Sequence, residues 1–547
     1  MIVIVDIARK TFQREEVSAE ERRRFIGGRG LGAKFLYEEL TPRIDAFDPR
    51  NLLAFIAGPL AGSGAQAWSK WVVVTKSPLT NGFGRAMAGG DFGYRLGTCG
   101  LTGVLVRGEA ERPSYIYIDG QTVRIFDAED LWGLDTQKTQ EILRDRHGKD
   151  VGIACIGPAG EKLVRYAGIF SGRRSASRCG VGAVMGAKKL KAIVVKGGKE
   201  RRAGIEDIKE LVKEQIRALK ENPKRLAMSQ QGTTASLEKY CTVRRFTPCF
   251  NFKRTSMEGI ESLSAAEFAS ITVKNWGCIG CMTRCGHIRK VEKGFFAGHW
   301  TEGPEYETCF AFGPAVGNRE IGFVIAADSL CDHLGLDTIS TGVCIAFACE
   351  LFERGLITTE DTDGLELTWG NYRAFYELIK RIGNREGFGE ILSEGVLRAA
   401  KRIGQGAERY AMHAKGMELP GYDPRAVKGY AVSYAVSNIG GSHMYARPWS
   451  EMDLRVDPKA EEGKGRLIAR EQRRMAVWDS SGICAFGRYG VSEELERKIL
   501  AAGTGIEEFE DEKYVDELGK RIIYTERLFN LREGFSSKDD TLPERFL

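Results

Sequence analysis

The chain has 547 residues, of which 43% are hydrophobic and 28% are charged, and its net charge is +6. This length exceeds what one hydrophobic core supports, so we expect three or four domains. The charge is modest and there is no basic tract, which argues against nucleic-acid binding. No apolar run is long enough to span a membrane, and the opening MIVIVD predicts a first strand, not a signal peptide, so we expect a cytoplasmic protein.

The sequence predicts an α+β fold with a sheet-rich base followed by two mainly helical domains. Runs rich in β-branched and aromatic residues predict strands at 71–75, 103–107, 114–118 and 190–195. Between them, residues 27–32, 86–91 and 173–182 are predicted as glycine-rich loops whose backbone approaches a ligand closely. Helical periodicity appears at 321–333, 341–355, 372–382 and 469–478. We predict domains at 1–200, 201–405 and 406–547, with the cofactor at their interface.

Three cysteines in one short stretch carry the strongest chemical signal. Cys278, Cys281 and Cys285 follow at spacings of three and four residues, and Cys484 lies alone about two hundred residues later. Three local thiolates and one distant thiolate commonly hold a 4Fe-4S cluster. A tetrahedral zinc ion is the main alternative, although structural zinc more often takes two cysteine pairs. The odd total of thirteen cysteines argues against a disulfide framework.

One pattern, Asp-x-x-Gly-aliphatic-Asp/Cys, occurs twice, as DHLGLD at 332–337 and as DSSGIC at 479–484. In each copy a helix is predicted to end at the glycine, and a new helix to begin directly after it. Asp337 is also an adequate N-cap. We call each of these junctions, a helix that ends at a glycine and the segment directly after it, a corner. Two such corners suit a protein that binds two copies of one polar heterocycle. Two ordinary capped turns are the alternative, which the cysteine at the end of the second copy makes less attractive.

Acidic and imidazole side chains flank these motifs. Glu302, Glu305 and Glu307 closely follow the cysteine stretch, and His443 lies in SNIGGSH before the second motif. A carboxylate and an imidazole near a redox centre are natural general acid/base candidates. Solvated carboxylates and a histidine that bonds the backbone are the alternatives.

With these features the chain resembles the tungsten-containing aldehyde:ferredoxin oxidoreductase family. The matching segments are GRGLGAK at 28–34, KSPLT at 76–80, AGGD at 88–91, GAVMGAKKLKA at 182–192, the three-cysteine stretch, EGPEYE at 302–307, both Asp-x-x-Gly motifs and ELPGYDPR at 418–425. They run nearly end to end. The doubled motif is specific, whereas the glycine-rich stretches only support it.

The resemblance implies a tungsten ion held by the dithiolene sulfurs of two pterins, with a Mg²⁺ ion bridging the pterin phosphates. Asp332, Leu336 and Asp337 would hold one pterin. The second pterin would be held by Asp479, Ile483 and Cys484. The sheet domain would lie under both pterins and contribute Lys70, Met87, Ala88, Gly89, Arg174, Ser175, Ala176 and Arg178.

The implied reaction oxidises an aldehyde to its carboxylic acid with water as the oxygen source. Electrons would leave through a 4Fe-4S cluster on Cys278, Cys281, Cys285 and Cys484 to ferredoxin or another iron–sulfur carrier. The catalytic pair would be His443 and Glu307, or Glu305 in place of Glu307 if the register of the match is off by one turn. The chain departs from many relatives at Met87, where they have asparagine, and at Lys70, where they have arginine. It also lacks a Glu-x-x-His dimer-metal pair, so another homodimer or a complex with electron-transfer subunits stays open.

Three further interpretations compete with this one. A tungsten subunit that reduces the ring of aromatic acyl-CoA thioesters would share the cofactor. A radical S-adenosylmethionine enzyme also uses three cysteines on one loop, but in the opposite spacing and without a fourth. A non-catalytic iron–sulfur or zinc scaffold is the third. The sequence decides neither tungsten against molybdenum nor the length of the aldehyde.

Overall fold

The computed structural model describes residues 1–198 and 206–547, so the predicted domain boundary at residue 200 lies outside the described residues. The predicted α+β class is confirmed: a sheet-rich region comes first and a mainly helical region follows. No helix of the described ranges is long and apolar enough to cross a membrane. The predicted division at residue 405 stays a prediction.

Two six-stranded sheets form the first part of the chain. In the first sheet the spatial order is β2-β1-β6-β3-β4-β5. Its strands are β1 (Ile2–Asp6), β2 (Thr11–Glu15), β3 (Leu53–Ala57), β4 (Trp71–Lys76), β5 (Phe83–Ala88) and β6 (Gly103–Arg107). The second sheet has the order β11-β10-β9-β12-β7-β8. Its strands are β7 (Ser114–Asp119), β8 (Thr122–Asp127), β9 (Val151–Cys155), β10 (Ile169–Ser171), β11 (Arg174–Ala176) and β12 (Leu190–Lys196).

The two sheets share one apolar core. Val3, Phe55 and Val73 of the first sheet lie in the same buried cluster as Ile116 and Ile193 of the second. The residues next to them along each strand point to the opposite face, because side chains alternate along a strand. This explains why the four predicted strands are rich in β-branched and aromatic residues without a regular polar alternation: most positions on both of their faces are covered.

Helices flank the sheets and dominate the rest of the chain. In the sheet region they are α1 (Ala19–Phe25), α2 (Gly28–Glu39), α3 (Phe92–Thr98), α4 (Thr136–His147), α5 (Pro158–Glu161) and α6 (Val181–Ala187). The following helices are α7 (Lys209–Glu221), α8 (Pro223–Gln231), α9 (Leu237–Thr242), α10 (Ala265–Ser270), α11 (Tyr306–Phe312), α12 (Ile321–Leu334), α13 (Thr338–Glu353), α14 (Tyr372–Asn384), α15 (Phe388–Leu392) and α16 (Val396–Ile403). The last ones are α17 (Lys428–Val436), α18 (Trp449–Met452), α19 (Lys464–Ser481), α20 (Glu493–Thr504) and α21 (Glu512–Glu533).

The helical region also contains small sheets that the periodicity did not indicate. Strands β13 (Thr272–Trp276), β14 (Gly286–Lys290) and β15 (Trp300–Glu302) form an antiparallel sheet. The pair β16 (His413–Ala414) and β17 (Met417–Glu418) is a second one. The three-cysteine stretch connects β13 to β14, so it is the loop of a hairpin.

The prediction of a ligand loop at residues 27–32 is wrong, since these residues begin α2. Their glycines instead permit close packing of α2 against helix α19 and strand β4. A Cβ on Gly28 would lie 2.4 Å from the carbonyl oxygen of Asp479, and one on Gly32 would lie 2.4 Å from Val74 Cγ2. Contacts below about 3 Å leave room only for hydrogen at these positions.

Each copy of the Asp-x-x-Gly motif forms the end of a helix that packs against one of the two sheets. Helix α12 ends at Gly335, and α19 ends at Gly482, both in the left-handed conformation that favours glycine. After Gly335 a new helix starts with Asp337 as its N-cap, as predicted. After Gly482 the prediction of a regular helix is wrong, because only a short 3-10 turn follows Cys484.

A glycine that follows a strand packs closely against each of these two corners. Gly58 follows β3, and its Cβ would lie 1.9 Å from the carbonyl oxygen of Ser481. Gly157 follows β9, and its Cβ would lie 2.6 Å from the carbonyl oxygen of Leu334. The contacts are therefore backbone against backbone on both sides.

Backbone hydrogen bonds complete both corners in the same way. The N–H of Lys70 donates to Gly482 O at 3.1 Å, and the N–H of Gly168 donates to Gly335 O at 2.9 Å. The two motifs thus occupy equivalent places on the two sheets, which fixes their distance from each other through the shared core.

We predict that Gly58→Ala destabilises the protein by about 1–3 kcal/mol, because the added methyl forces the backbone of Ser481 to move. The midpoint of thermal denaturation should fall. Gly465→Ala is the matched control, since it lies on α19 with nothing within 4 Å of the new Cβ. Equal midpoints for both variants would contradict this packing.

Candidate active site

The carboxylate of the second motif lies in a buried charge network. Asp479 Oδ2 accepts from Arg85 Nη1 at 2.6 Å and from Arg29 Nη1 at 3.3 Å. Arg29 in turn forms a bidentate pair with Glu526, at 2.6 and 2.8 Å. Asp479, Arg29 and Glu526 are buried, so each charge depends on its partner.

The first motif has a similar but looser arrangement. Asp337 Oδ2 accepts from Arg178 Nη1 and from Ser340 Oγ, each at 2.8 Å. Asp332 lies 4.0 Å from Arg173 Nη1, and burial raises the pKa of Asp332 well above its usual value. Leu336 bridges to Ala167 at the sheet, and Ile483 is buried beside Cys484.

The two stretches predicted to hold the cofactor meet between the sheets. Strand β5, which carries Met87 and Ala88, contacts β11, and each of these strands is the edge of its own sheet. Gly89 follows β5, and β11 contains Arg174, Ser175 and Ala176.

Several buried donors at this junction have no acceptor. Arg85 Nε and Nη2, Arg173 Nη1 and Arg174 Nε lack hydrogen-bond partners within the described part of the chain. Buried polar groups are normally paired, so several guanidinium N–H donors without acceptors at one place fit a bound anion with several acceptors. The phosphates of a pterin cofactor have this character.

The late cysteine lies beside the early three. Ala67 joins them: its N–H donates to Gly280 O at 2.7 Å, and its carbonyl accepts from Cys484 N at 2.9 Å. Thr283 Oγ1 also donates to Phe486 O at 3.0 Å. Burial and the neighbouring thiols of Cys484 and Cys278 raise the pKa of Cys281 to about 11.

The cysteine loop also contacts the sheet junction. The N–H of Gly90 donates to Cys278 Sγ at 3.3 Å, and a Cβ on Gly89 would lie 2.8 Å from that sulfur. Across residues 1–198 and 206–547, no three His, Cys, Asp or Glu side chains converge on a single metal ion.

Glu307 and His443 form a close pair. Glu307 lies in the first turn of α11, and its Oε1 is 3.3 Å from His443 Nδ1, without the alignment of a hydrogen bond. Its Oε2 accepts from the N–H of Gly421 at 2.8 Å. Glu305 lies apart from this pair, because it binds Arg174 at 2.9 Å and Thr233 at 2.6 Å and its side chain is 43% exposed.

Burial sets the protonation of the pair. It raises the pKa of Glu307 to about 7, against the opposing effect of Gly421 N–H and of Arg178 and Arg447. Burial also lowers the pKa of His443 well below its usual value, and Arg447, Arg178 and Lys70 lower it further. At neutral pH the imidazole is therefore neutral, and the carboxyl group is poised to take up or release a proton.

Arg178 ties this pair to the first motif. While Nη1 binds Asp337, its Nη2 donates to Glu418 O at 2.6 Å and to Gly441 O at 2.5 Å, two residues before His443. Lys70 lies at the second motif through its backbone bond to Gly482.

Sequence reasoning missed Arg85, Arg29, Ala67 and Arg447. For Arg85 a signal existed: it lies two residues before Met87 and therefore on the same face of β5. Nothing in the sequence marks Ala67, since its contribution comes from backbone groups alone.

The chain was compared with protein families and with proteins of known function. Residues 2–197 match the family model described as aldehyde ferredoxin oxidoreductase, N-terminal domain, and residues 210–547 match that for its domains 2 and 3. The chain belongs to the aldehyde ferredoxin oxidoreductase family. Tungsten-containing aldehyde ferredoxin oxidoreductases of Pyrococcus abyssi and Pyrococcus furiosus are each 38% identical to it; the matches cover 100% and 97% of this chain and 91% and 89% of the relatives.

A solved structure of an aldehyde ferredoxin oxidoreductase relative shows the same fold. It is the active site complex BamBC of benzoyl coenzyme A reductase with 1,5-dienoyl-CoA, with a TM-score of 0.85 and 26% identity over 100% of this chain and 90% of that one. The expectation of an oxidoreductase is confirmed by the family, which also supports a tungsten–pterin cofactor. A non-catalytic scaffold finds no support.

We expect the four cysteines to act as one ligand set. Cys484→Ser should therefore lower the iron content of the anaerobically purified protein and remove most of its visible charge-transfer absorption. Cys99→Ser, in the sheet region, serves as the control and should leave both unchanged. Full iron content in the Cys484 variant would contradict the ligand set.

Proposed function

We propose that this protein oxidises aldehydes to carboxylic acids and passes two electrons to an iron–sulfur carrier such as ferredoxin. The observation that carries the proposal is the Glu307–His443 pair, held next to the first motif by Arg178. A carboxyl group with a pKa of about 7 beside a neutral imidazole suits addition of water to a carbonyl.

We assign the cofactors to the buried groups described above. Asp332, Leu336 and Asp337 would hold one pterin, and Asp479, Ile483 and Cys484 the other. The phosphates and a bridging Mg²⁺ would lie where β5 and β11 meet, within reach of the unpaired arginine donors and near Lys70. Cys278, Cys281, Cys285 and Cys484 would hold a 4Fe-4S cluster. When bound, the tungsten–pterin group would take up two electrons, which the cluster would release one at a time.

The two side chains divide the proton chemistry. Neutral His443 donates an N–H to the aldehyde oxygen and so polarises the carbonyl. Ionised Glu307 accepts a proton at Oε1 from the water that adds to the carbonyl carbon. One aldehyde and one water thus give one carboxylic acid, two protons and two electrons.

We predict that Glu307→Gln and His443→Phe each lower kcat/KM for an aldehyde about 10²–10⁴-fold with tungsten and iron contents intact. In the wild type, kcat/KM should rise as the pH increases through about 7, because Glu307 must be ionised to act as a base. This rise should disappear in Glu307→Gln and persist in Glu305→Gln. Near-normal turnover in both pair variants would refute the assignment.

Electrons would leave at the cysteine hairpin. The loop between β13 and β14 is partly exposed, Arg284 is an exposed residue of this loop, and Lys274 is exposed on β13 before it. Val273 next to Lys274 is 67% exposed. An exposed apolar residue and exposed cations on one hairpin suit a transient contact with an acidic electron carrier.

We predict that Lys274→Glu combined with Arg284→Glu lowers kcat/KM for an acidic ferredoxin about 10-fold at low salt, through slower association. Turnover with a small viologen acceptor should stay the same. Arg9→Glu combined with Lys10→Glu, in the turn between β1 and β2, provides the charge-matched control. Equal losses with both acceptors would place electron exit elsewhere.

Reduction of the ring of an aromatic acyl-CoA thioester is the second candidate, because the structural relative is part of a benzoyl coenzyme A reductase. Two assays of the purified protein distinguish the two candidates. Aldehyde-dependent viologen reduction supports the first, and dearomatisation of benzoyl-CoA by a reduced viologen supports the second.

A further inference from the structure

We propose that Arg447 forms an anion-binding subsite beside Glu307 and His443, so that the preferred substrates are aldehydes that carry a second, negatively charged group such as a carboxylate. This inference rests on the proposed aldehyde oxidation and specifies its substrate class. It depends on a buried cation that the cofactor sites and the catalytic pair leave unused.

Arg447 is buried yet unpaired. Its residue is 8% exposed, no carboxylate of the described residues lies within 4 Å of its guanidinium, and its Nε has no hydrogen-bond partner. The other buried arginines of the site differ: Arg29 pairs with Glu526, Arg85 with Asp479, and Arg178 with Asp337. A buried guanidinium without a counterion is costly, and a bound anion removes that cost.

The guanidinium is held in one orientation. It lies over the ring of Trp449, 4.3 Å from the centroid, and close to the Tyr430 hydroxyl. Tyr430 stacks on Tyr422 at 4.6 Å, and the ring of Tyr422 is 5.9 Å from that of His443. This frame preorganises the fork of donors that recognises a carboxylate, which reduces the entropic cost of binding.

Its charge acts on the catalytic pair. After burial, Arg447 is the largest contribution that lowers the pKa of His443, and it also opposes the rise of the pKa of Glu307. Arg178 and Lys70 act on His443 too, but Arg178 is neutralised by Asp337, and Lys70 lies at the second motif. Arg447 is thus the cation left for the substrate.

A structural role is the alternative, in which Arg447 only supports the tyrosine stack. The two roles predict different effects of an Arg447 substitution on charged and on neutral aldehydes. A support residue affects all aldehydes equally, whereas an anion subsite affects charged aldehydes more than neutral ones.

The test compares succinic semialdehyde with butanal, which match in carbon number and differ in the terminal carboxylate. Wild type should show at least about 10-fold higher kcat/KM for the charged aldehyde, mainly through KM, as expected for a hydrogen-bonded ion pair. Arg447→Met should reduce this ratio to within about 3-fold, and Arg447→Lys should restore part of it. Tyr434→Phe, in the same stack, should retain the wild-type ratio.

A ratio near one in wild type, or an unchanged ratio in Arg447→Met, would overturn the subsite. If Arg447→Met does not fold, inhibition of the wild type decides: succinate should inhibit butanal oxidation about 10-fold more strongly than butyrate, and equal inhibition would overturn the proposal. If neither aldehyde is oxidised by protein with full tungsten and iron content, the proposed reaction fails. Calorimetric binding of succinate to wild type and to Arg447→Lys then tests the subsite separately, and no binding to wild type refutes it.

Discussion

The structure depends on two close backbone contacts between helix ends and sheets. Gly58 meets the corner at Gly482, and Gly157 meets the corner at Gly335, each at a distance that excludes a side chain. Because the two sheets share one core, these contacts fix the two corners relative to each other. A site made of two equivalent halves can hold its ligands rigidly only if the halves cannot shift, and dense packing provides this.

Buried charge is the second constraint on the site. Arg29, Glu526 and Asp479 satisfy one another, whereas Arg85, Arg173 and Arg174 keep donors without acceptors. Such donors are costly in a folded protein, so their presence at one junction points to an anionic ligand that belongs there. The same argument applies to Arg447, which lies near the catalytic pair rather than at the junction. Burial also brings the pKa of the Glu307 carboxyl group close to neutral pH, which suits a general base.

Much of the fold could be predicted from local patterns, because β-branched runs and helical periodicity coincide here with tertiary structure. Strand β6 and helix α12 lie where the sequence predicts them, within a residue. The capped corner at Gly335 was also predictable from Asp-x-x-Gly followed by Asp337.

Residues 27–32 were misjudged because glycine permits both a loop and a close helix contact, and only the partner at Asp479 distinguishes them. The hairpin around the cysteines escaped notice since Val273 and Lys274 lie on a short, largely exposed strand without alternation. For the site, the sequence comparison favours Glu307 and keeps Glu305 as the alternative, and burial and the distance to His443 distinguish the two in the structure.

The central claim is that two equivalent corners hold two pterins around one tungsten ion, with an iron–sulfur cluster beside them. The most direct measurement is the content of tungsten, pterin, iron and zinc per chain in anaerobically purified protein. We expect one tungsten, two pterins and four irons per chain, with zinc absent. A single pterin per chain, or zinc in place of iron and tungsten, would contradict it.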